Sequence, residues 1–415
     1  MPAFGTSDPG IKTYRSGTHR ASAPAETVAR VRGLLDRFGI TRVANLTGLD
    51  RTGIPVVMVC RPNARSSAVF HGKGIDLAAA KASGLMEAIE TWHAEHVDEP
   101  LRLGSVQELG QRCRLIDAAA LPRLPDSRFR PDLPMLWIEG TDLIARAPVW
   151  LPYETVHADA TVAGLPGSAC FASSTNGLAS GNHVFEATSH ALCEVIERDA
   201  TSLWNRSPAQ LQDATRLDLA TVADPACRGV LERIGKAGLD VAAWEITSDV
   251  GVPAFLALLV DRIAAPRESS HGHVGRGAGC HPMREIALLR ALTEAVQVRT
   301  TYIVGSREDI VEDDYRHETL AGRTRRVRAL MRPVARPRDF AACGRFAFDT
   351  FEAEVGWILD RLQSIGIAQA AAVDLTRPGC GIAVVRVVVP GLEGSDHHAG
   401  YSPGARARAI MVRPS

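Results

Sequence analysis

The chain has 415 residues, 46% of them hydrophobic, which is enough to bury a large core. Lys plus Arg equals Asp plus Glu at 47 each, so no charge excess points to nucleic acid or to an anionic membrane. The first thirty residues lack an apolar signal segment, no run approaches the roughly 18 apolar residues of a membrane span, and the eight cysteines form no C-x-x-C pair. The expectation is a reduced, cytoplasmic protein that neither crosses a membrane nor binds nucleic acid.

In chain order, residues 1–24 are polar and irregular, with Arg15 and Arg20 in the phrase TYRSGTHR. Apolar residues at helical spacing predict a helix from Pro24 to Phe38, followed by a strand, a turn at Gly48 to Gly53 and a second strand. This helix-plus-hairpin unit recurs from Gly229 and again from Glu354. Short strands are expected at Met135 to Glu139 and Pro148 to Pro152, and exposed loops at Asp126 to Pro134 and Arg323 to Arg338. Hairpins alternating with crossover helices imply an α+β fold of repeated helix/hairpin units with mixed or mainly antiparallel sheets. The expected organisation is a single domain of repeated subdomains, about 12–110, 111–225 and 226–395, with 396–415 as an irregular tail.

The segment from Ser173 to Ala200 carries the strongest chemical signal. A glycine-punctuated run leads into a helix starting near Asn182 or His183, on which Glu186, His190, Glu194 and Glu197 fall within about 80° of one another. Phe185, Leu192, Val195 and Ile196 fall on the other side, so the helix has an apolar back and an acidic front without Lys. Alone, such a stripe reads equally well as a solvated face. It recurs, however: Ser83, Glu87 and Glu90 occupy the positions of His190, Glu194 and Glu197 in GIDLAAAKASGLMEAIE, and Arg290, Glu294 and Gln297 do so in MREIALLRALTEAVQVR. Three related stripes suggest fronts that meet at one site, where gathered carboxylates suit Mg²⁺ together with substrate phosphates.

Other motifs are weaker. Neither Gly72-Lys73-Gly74 nor GRGAG at Gly275 to Gly279 has P-loop spacing, and no dinucleotide fingerprint is present. Lys73 and Asn176 read as residues of Gly-bearing loops before stripe helices, suited to phosphate or to plain turns. Arg198 and Arg299, expected to end two stripe helices, read as dipole partners or as neutralisers of a triphosphate. His271, His273, Cys280 and His281, and the pair His397-His398, fit loop chemistry better than a transition-metal site.

Taken together, H-G-K-G at His71 to Gly74, the S-x-x-x-E-x-x-E of Ser83 to Glu90, S-T-N-G at Ser174 to Gly177, Glu186 with the E-x-x-E-R of Glu194 to Arg198, and the E-x-x-Q-x-R of Glu294 to Arg299 resemble the YcaO family. YRSGTHR and NLTGLDRTGIPVV resemble its TfuA-associated branch in particular. The resemblance implies a YcaO-like fold with a non-P-loop ATP site between the repeated units, and ATP and Mg²⁺ as cofactors. Glu87, Glu90, Glu186, Glu194 and Glu197 would then hold the metal, and Ser83, Asn176, Arg198, Glu294, Gln297 and Arg299 would contact ATP or order its site, with Lys73 beside them. Glu194, Glu197 and Arg198 would carry the catalysis, and Arg20 and Thr27 match a family Lys and Ser near the nucleotide.

Members of the family activate a peptide backbone amide. A nucleophile adds to the carbonyl, ATP phosphorylates the oxyanion, and phosphate departs. In the TfuA-associated branch sulfide yields a thioamide, with a TfuA-like partner helping to supply sulfur. In the azoline-forming branch a Cys, Ser or Thr of the peptide attacks. Azoline-forming members commonly end in P-x-P-x-P, whereas this chain ends ARARAIMVRPS, which favours thioamidation. Thr91 stands where an Arg would complete E-x-x-E-R in the first stripe helix. A non-catalytic nucleotide-binding adapter is the remaining alternative, and a homodimer is the expected assembly.

Overall fold

In the computed structural model, residues 7–162, 164–262, 273–307, 310–395 and 400–412 are described. His271, His397 and His398 lie outside them.

Helix α1 (Pro24–Val31) begins at a proline, and the Glu26 carboxylate accepts the Ala23 N–H at 3.1 Å. Its expected continuation to Phe38 breaks after Val31 into a 3-10 turn, and Gly39 at φ 65° turns the chain away. Strands β1 (Arg42–Asn45) and β2 (Val56–Cys60) pair antiparallel across the expected turn. Next come β3 (Val69–Lys73), antiparallel to β2, and α2 (Leu77–Glu95), which the Asp76 carboxylate caps by accepting the Ala79 N–H at 2.8 Å.

A connecting stretch holds β4 (Leu101–Gly104), the single turn α3 (Val106–Leu109), β5 (Met135–Asp142) and β6 (Ala147–Pro152), the last two on the expected strands. Then β7 (Leu178–Gly181) leads into α4 (Val184–Asn205). After α5 (Ala209–Ala214) and the two-residue β8 (Leu217–Asp218), the unit repeats as α6 (Pro225–Lys236), β9 (Leu239–Glu245), β10 (Ala254–Asp261), β11 (Gly275–Cys280) and α7 (Arg284–Val304). There follow α8 (Glu312–Tyr315), α9 (His317–Leu330) and β12 (Arg338–Asp339), then α10 (Phe351–Ser364), β13 (Ala371–Asp374), β14 (Ala383–Val388) and α11 (Ala405–Val412).

The sheets are antiparallel, in the orders β1-β2-β3, β11-β10-β9 and β4-β5-β13-β14-β7 with β6 on β5; only the short β8 and β12 pair parallel among the described strands. Two units therefore run helix, hairpin, third strand, helix in chain order. The third hairpin, β13-β14, takes its third strand and following helix from β7 and α4, about two hundred residues earlier. This is why only two of the three repeats seen in the sequence continue directly into a stripe helix.

Three further expectations change. The glycine-rich runs before α2 and α7 are strands, not loops, and Lys73 ends β3. A Cβ on Gly275, Gly277 or Gly279 would come within 2.3, 2.3 and 2.1 Å of α7 carbonyl oxygens, so alternate glycines let the helix lie on the strand backbone. Arg323 to Leu330 belong to α9, because no proline intervenes before Pro333 and Arg, Ala and Leu favour helix. The tail is not wholly irregular: α11 docks on α4, where Arg406 forks onto Asp199 at 2.9 and 3.0 Å.

Candidate functional site

The three stripe helices close a ring of contacts. Each lies on the strand that precedes it and also touches a strand of the next unit: α2 meets β7, α4 meets β11 and α7 meets β3. Their polar fronts consequently face a common centre. Direct bonds cross between units there: the Lys73 ammonium on β3 donates to Glu294 on α7 at 2.8 Å, and the Ser180 N–H and hydroxyl on β7 both donate to Glu90 on α2 at 2.9 Å. The Gln297 amide donates to the His71 carbonyl at 3.2 Å.

Electrostatics tie the rest together. Burial pushes the Glu87 carboxyl up to about 7, against Lys73 and Arg307 and reinforced by Glu194 and Glu294. Burial likewise takes Glu197 up to about 7, with Glu294 and Glu194 adding to it and Arg198 and Lys73 opposing. Glu90 is held well above the usual carboxylate range by burial, Glu87 and Glu194, and Glu194 is raised by burial despite Arg198 and Arg386. Only Glu294 falls, since Lys73 and Arg198 outweigh its burial. Four carboxyls thus remain above their ordinary range although Lys73, Arg198, Arg307 and Arg386 are in reach. The protein's own cations do not offset burial and mutual repulsion, and a divalent cation would.

The donor set also fits a nucleotide. Asn176 Oδ1, Gln297 Oε1, and Arg386 Nε and Nη1 are buried without hydrogen-bond partners. Arg386 anchors its other nitrogen on the Ser174 carbonyl at 2.7 Å, beside the turn that carries Asn176. Burial lowers its pKa to about 10 while Glu194 opposes that shift. Sequence reasoning missed Arg386 and Ser180. The signal for the first was available: one arginine inside the apolar strand AVVRVV of β14.

Not every expected residue joins this centre. Ser83 lies one helical turn before Glu87 on α2. Glu186 is engaged by the N-terminal segment, accepting the Ala21 N–H at 3.0 Å with Arg20 at 3.6 Å. Arg20 itself is within electrostatic reach of Glu90, so this pair borders the common centre. Thr27 donates to Asn182 at 3.1 Å. Arg299 is committed elsewhere: its guanidinium is buried against Asp50 at 3.2 Å, Asp261 at 3.3 Å and the His273 carbonyl at 2.6 Å. The hydroxyl of Thr91 bonds back to the Glu87 carbonyl at 2.9 Å, satisfying itself within α2.

A second cluster gathers His19, His281 and Glu354, whose ligand atoms lie within 4.8 Å of one another. Lys12 already sits 2.6 Å from Glu354, and His281 Nδ1 accepts the Met283 N–H at 2.9 Å, which leaves the ring proton of the neutral form on Nε2. An ammonium thus stands where a metal would have to enter, and the group is self-compensated. His273, also weighed for a metal, stacks on Tyr302 at 5.9 Å.

Residues 71–393 match a family model described as YcaO cyclodehydratase, ATP- and Mg²⁺-binding. The chain is 38% identical over 391 residues to an uncharacterized protein in the tfuA 3′ region of Rhizobium leguminosarum bv. trifolii, covering 93% of this chain and 91% of that one. It is 34% identical over 382 residues to an uncharacterized protein of Methanothermobacter thermautotrophicus, covering 90% and 95%. Among solved structures, it resembles the YcaO protein of Methanopyrus kandleri bound with AMPPCP and Mg²⁺, at TM-score 0.71 and 25% identity over 95% of this chain and 98% of that one. A heterocyclase in complex with substrate and cofactor superposes with TM-score 0.77 at 22% identity, covering 93% of this chain but 54% of that longer one, and so speaks for the fold.

Proposed function

The chain belongs to the YcaO family, with ATP and Mg²⁺ as its cofactors, and from that premise we propose that it converts a peptide backbone amide into a thioamide. Sulfide adds to the amide carbonyl carbon, forming the C–S bond and an oxyanion. The oxyanion takes the γ-phosphoryl group of ATP with release of ADP, and the C–O bond then breaks as phosphate departs and the S–H proton is lost, leaving C=S and the original C–N bond. When bound, Mg²⁺ supplies charge neutralisation along the phosphates during that transfer.

In this reading Glu87, Glu90, Glu194 and Glu197 hold the metal, joined by Glu186 once Arg20 turns to phosphate. Glu294 orients the Lys73 ammonium, with which it is already paired, toward the nucleotide. Asn176 and Gln297 offer their unpartnered oxygens, and Arg386 its unpartnered N–H groups, as polar contacts for the bound nucleotide, while Arg198 offsets charge developing on the transferred group.

The observation carrying this proposal is the set of carboxyls from α2 and α4 raised above their ordinary range at one centre, beside the Lys73–Glu294 pair that α7 contributes. Sulfur as the nucleophile is supported by the relative in a tfuA 3′ region. A TfuA-like protein would be the sulfur-delivering partner. The eight free cysteines support a cytoplasmic setting. Azoline formation is the second reading, because the family model is described as a cyclodehydratase. Mass spectrometry of a peptide incubated with protein, partner, sulfide and Mg-ATP tests the choice. Oxygen exchanged for sulfur makes the peptide heavier, whereas a peptide that becomes lighter by one water overturns thioamidation in favour of azoline formation.

A further inference from the structure

Strand β9 ends the β11-β10-β9 sheet, and part of its outer edge is open. The Ile246 N–H reaches the Ala254 carbonyl at 2.8 Å and the Arg262 N–H reaches the Gly238 carbonyl at 3.0 Å, so even-numbered residues of β9 bond to β10. Odd-numbered residues therefore turn their N–H and C=O outward. At one end the Glu245 N–H is taken by the Thr215 carbonyl at 2.9 Å, where Arg216 also bridges to Trp244. At the other the Leu239 carbonyl accepts from the Arg262 guanidinium at 3.4 Å. Between them Val241 offers both backbone groups, and neither has a bonding partner among the described residues.

A cleft of about 520 Å³ runs along this edge. Val241 and Asp240, which point to opposite faces of the sheet, both line it, and Met331, Arg332 and Pro333 just beyond α9 stand across from them. The two faces differ in chemistry. Leu239 and Val241 belong to an apolar cluster with Ile234. On the other face Arg216 lies 4.7 Å over the Trp244 ring, and Arg262 pairs with Asp240 at 3.0 Å. Arg328 and Arg332 also line the cleft, so four guanidiniums face one lining carboxylate, Asp240. Arg332 reaches Asp213 at 2.8 Å, whereas Arg216 and Arg328 bond to carbonyl oxygens of Leu330 and Asp261. The lining stays positive, and it stands beside unpaired strand backbone.

We propose that the open edge of β9 receives an added strand from a polypeptide partner, in which acidic residues alternate with apolar ones. The partner's backbone would pair with the N–H and C=O of Val241. A residue directly opposite Val241 turns its side chain to the apolar face, and the residues on either side of it turn theirs to the arginines. Alternation thus follows from the pleat, and acidity from the uncompensated guanidiniums. Strand β9 lies two strands, about 10 Å, beyond β11, which contacts α4, so this edge is separate from the carboxylate centre.

The probe is fluorescein-labelled Glu-Val-Glu-Val-Glu, followed by fluorescence anisotropy on the full chain at constant ionic strength. Val241→Pro removes only an outward N–H, which an edge position tolerates, and Arg332→Glu reverses an exposed charge. The expected result is binding to wild type and about tenfold weaker binding to each variant, with Mg-AMPPCP affinity retained as the check on folding. Glu-Glu-Glu-Val-Val, with the same composition but no alternation, should also bind about tenfold more weakly to wild type. Should Val241→Pro misfold, Arg332→Glu and the second peptide decide. Equal binding of the two peptides, full binding to folded Val241→Pro or to Arg332→Glu, or no binding to wild type overturns the added strand. Displacement of the probe by inorganic phosphate, or by self-association of the protein, does so too, assigning the edge to a free anion or to a second copy.

Discussion

Two places in this molecule bury ionisable groups together, and they do so differently. Around Glu354, each charge meets a close partner: Lys12 at 2.6 Å and the Ser189 hydroxyl at 2.6 Å, with His281 at 3.9 Å. Burial and surrounding cations push His19 down to about 4 and His281 well below its ordinary value, keeping both neutral. In the ring of α2, α4 and α7, four carboxyls stay above their ordinary range despite nearby cations. Internal compensation marks a structural device, and its failure marks a site shaped for something brought from outside.

The contrast can be broken at its structural end first. Lys12→Met leaves Glu354 buried without its cation and is expected to cost about 3–5 kcal/mol in urea denaturation, while the folded fraction still binds Mg-AMPPCP. Loss of nucleotide binding without loss of stability would erase the distinction. At the other end, Glu194→Gln or Glu197→Gln should lower kcat for ATP about 10²–10³-fold without lowering the thermal midpoint, because each relieves repulsion as it removes a ligand. Wild-type turnover in both variants would reject their assignment.

Proton competition gives a smaller effect. Glu87 and Glu197 titrate at about 7 in the folded state. Below that pH they carry protons that Mg²⁺ must displace, so metal affinity should fall about fivefold for each displaced proton between pH 7 and 6. The sign for folding is opposite. A raised folded pKa stabilises the metal-free protein fully below the ordinary carboxylate value, and that stabilisation is lost as pH rises to about 7. Calorimetric titrations and melts at pH 6, 7 and 8 read both trends, and a flat metal affinity would contradict them. Smallest of all, Thr91→Ala removes one bond within α2 and should cost less than about 1 kcal/mol, with ATP turnover unchanged.

Much of this was legible in the sequence because helical periodicity records faces. Glu87, Glu90, Glu194, Glu197 and Glu294 could be placed on polar fronts, and the triplication implied that the fronts meet. Periodicity does not record what a side chain meets across the fold. Arg299 shares the third stripe helix with Glu294, yet Asp50 and Asp261, from other segments, claim it. Glycine runs were misread as loops since the need for a bare strand surface lies in the helix packed over it. The origin of the third unit's strand and helix from an earlier segment was equally out of reach, because pairing of β7 with β14 leaves no local trace. Arg386 shows the converse: a charge inside an apolar strand was visible and passed over.

The central claim is that acid side chains from separate helices jointly hold a metal against a triphosphate. A crystal of the protein grown with Mn²⁺ and AMPPCP, with anomalous scattering locating the metal, tests it most directly. The expected result is a manganese peak coordinated by carboxylate oxygens from both α2 and α4, with the nucleotide's phosphates beside Lys73. A metal and nucleotide bound away from this ring, or a peak touching acids of one helix alone, would contradict it.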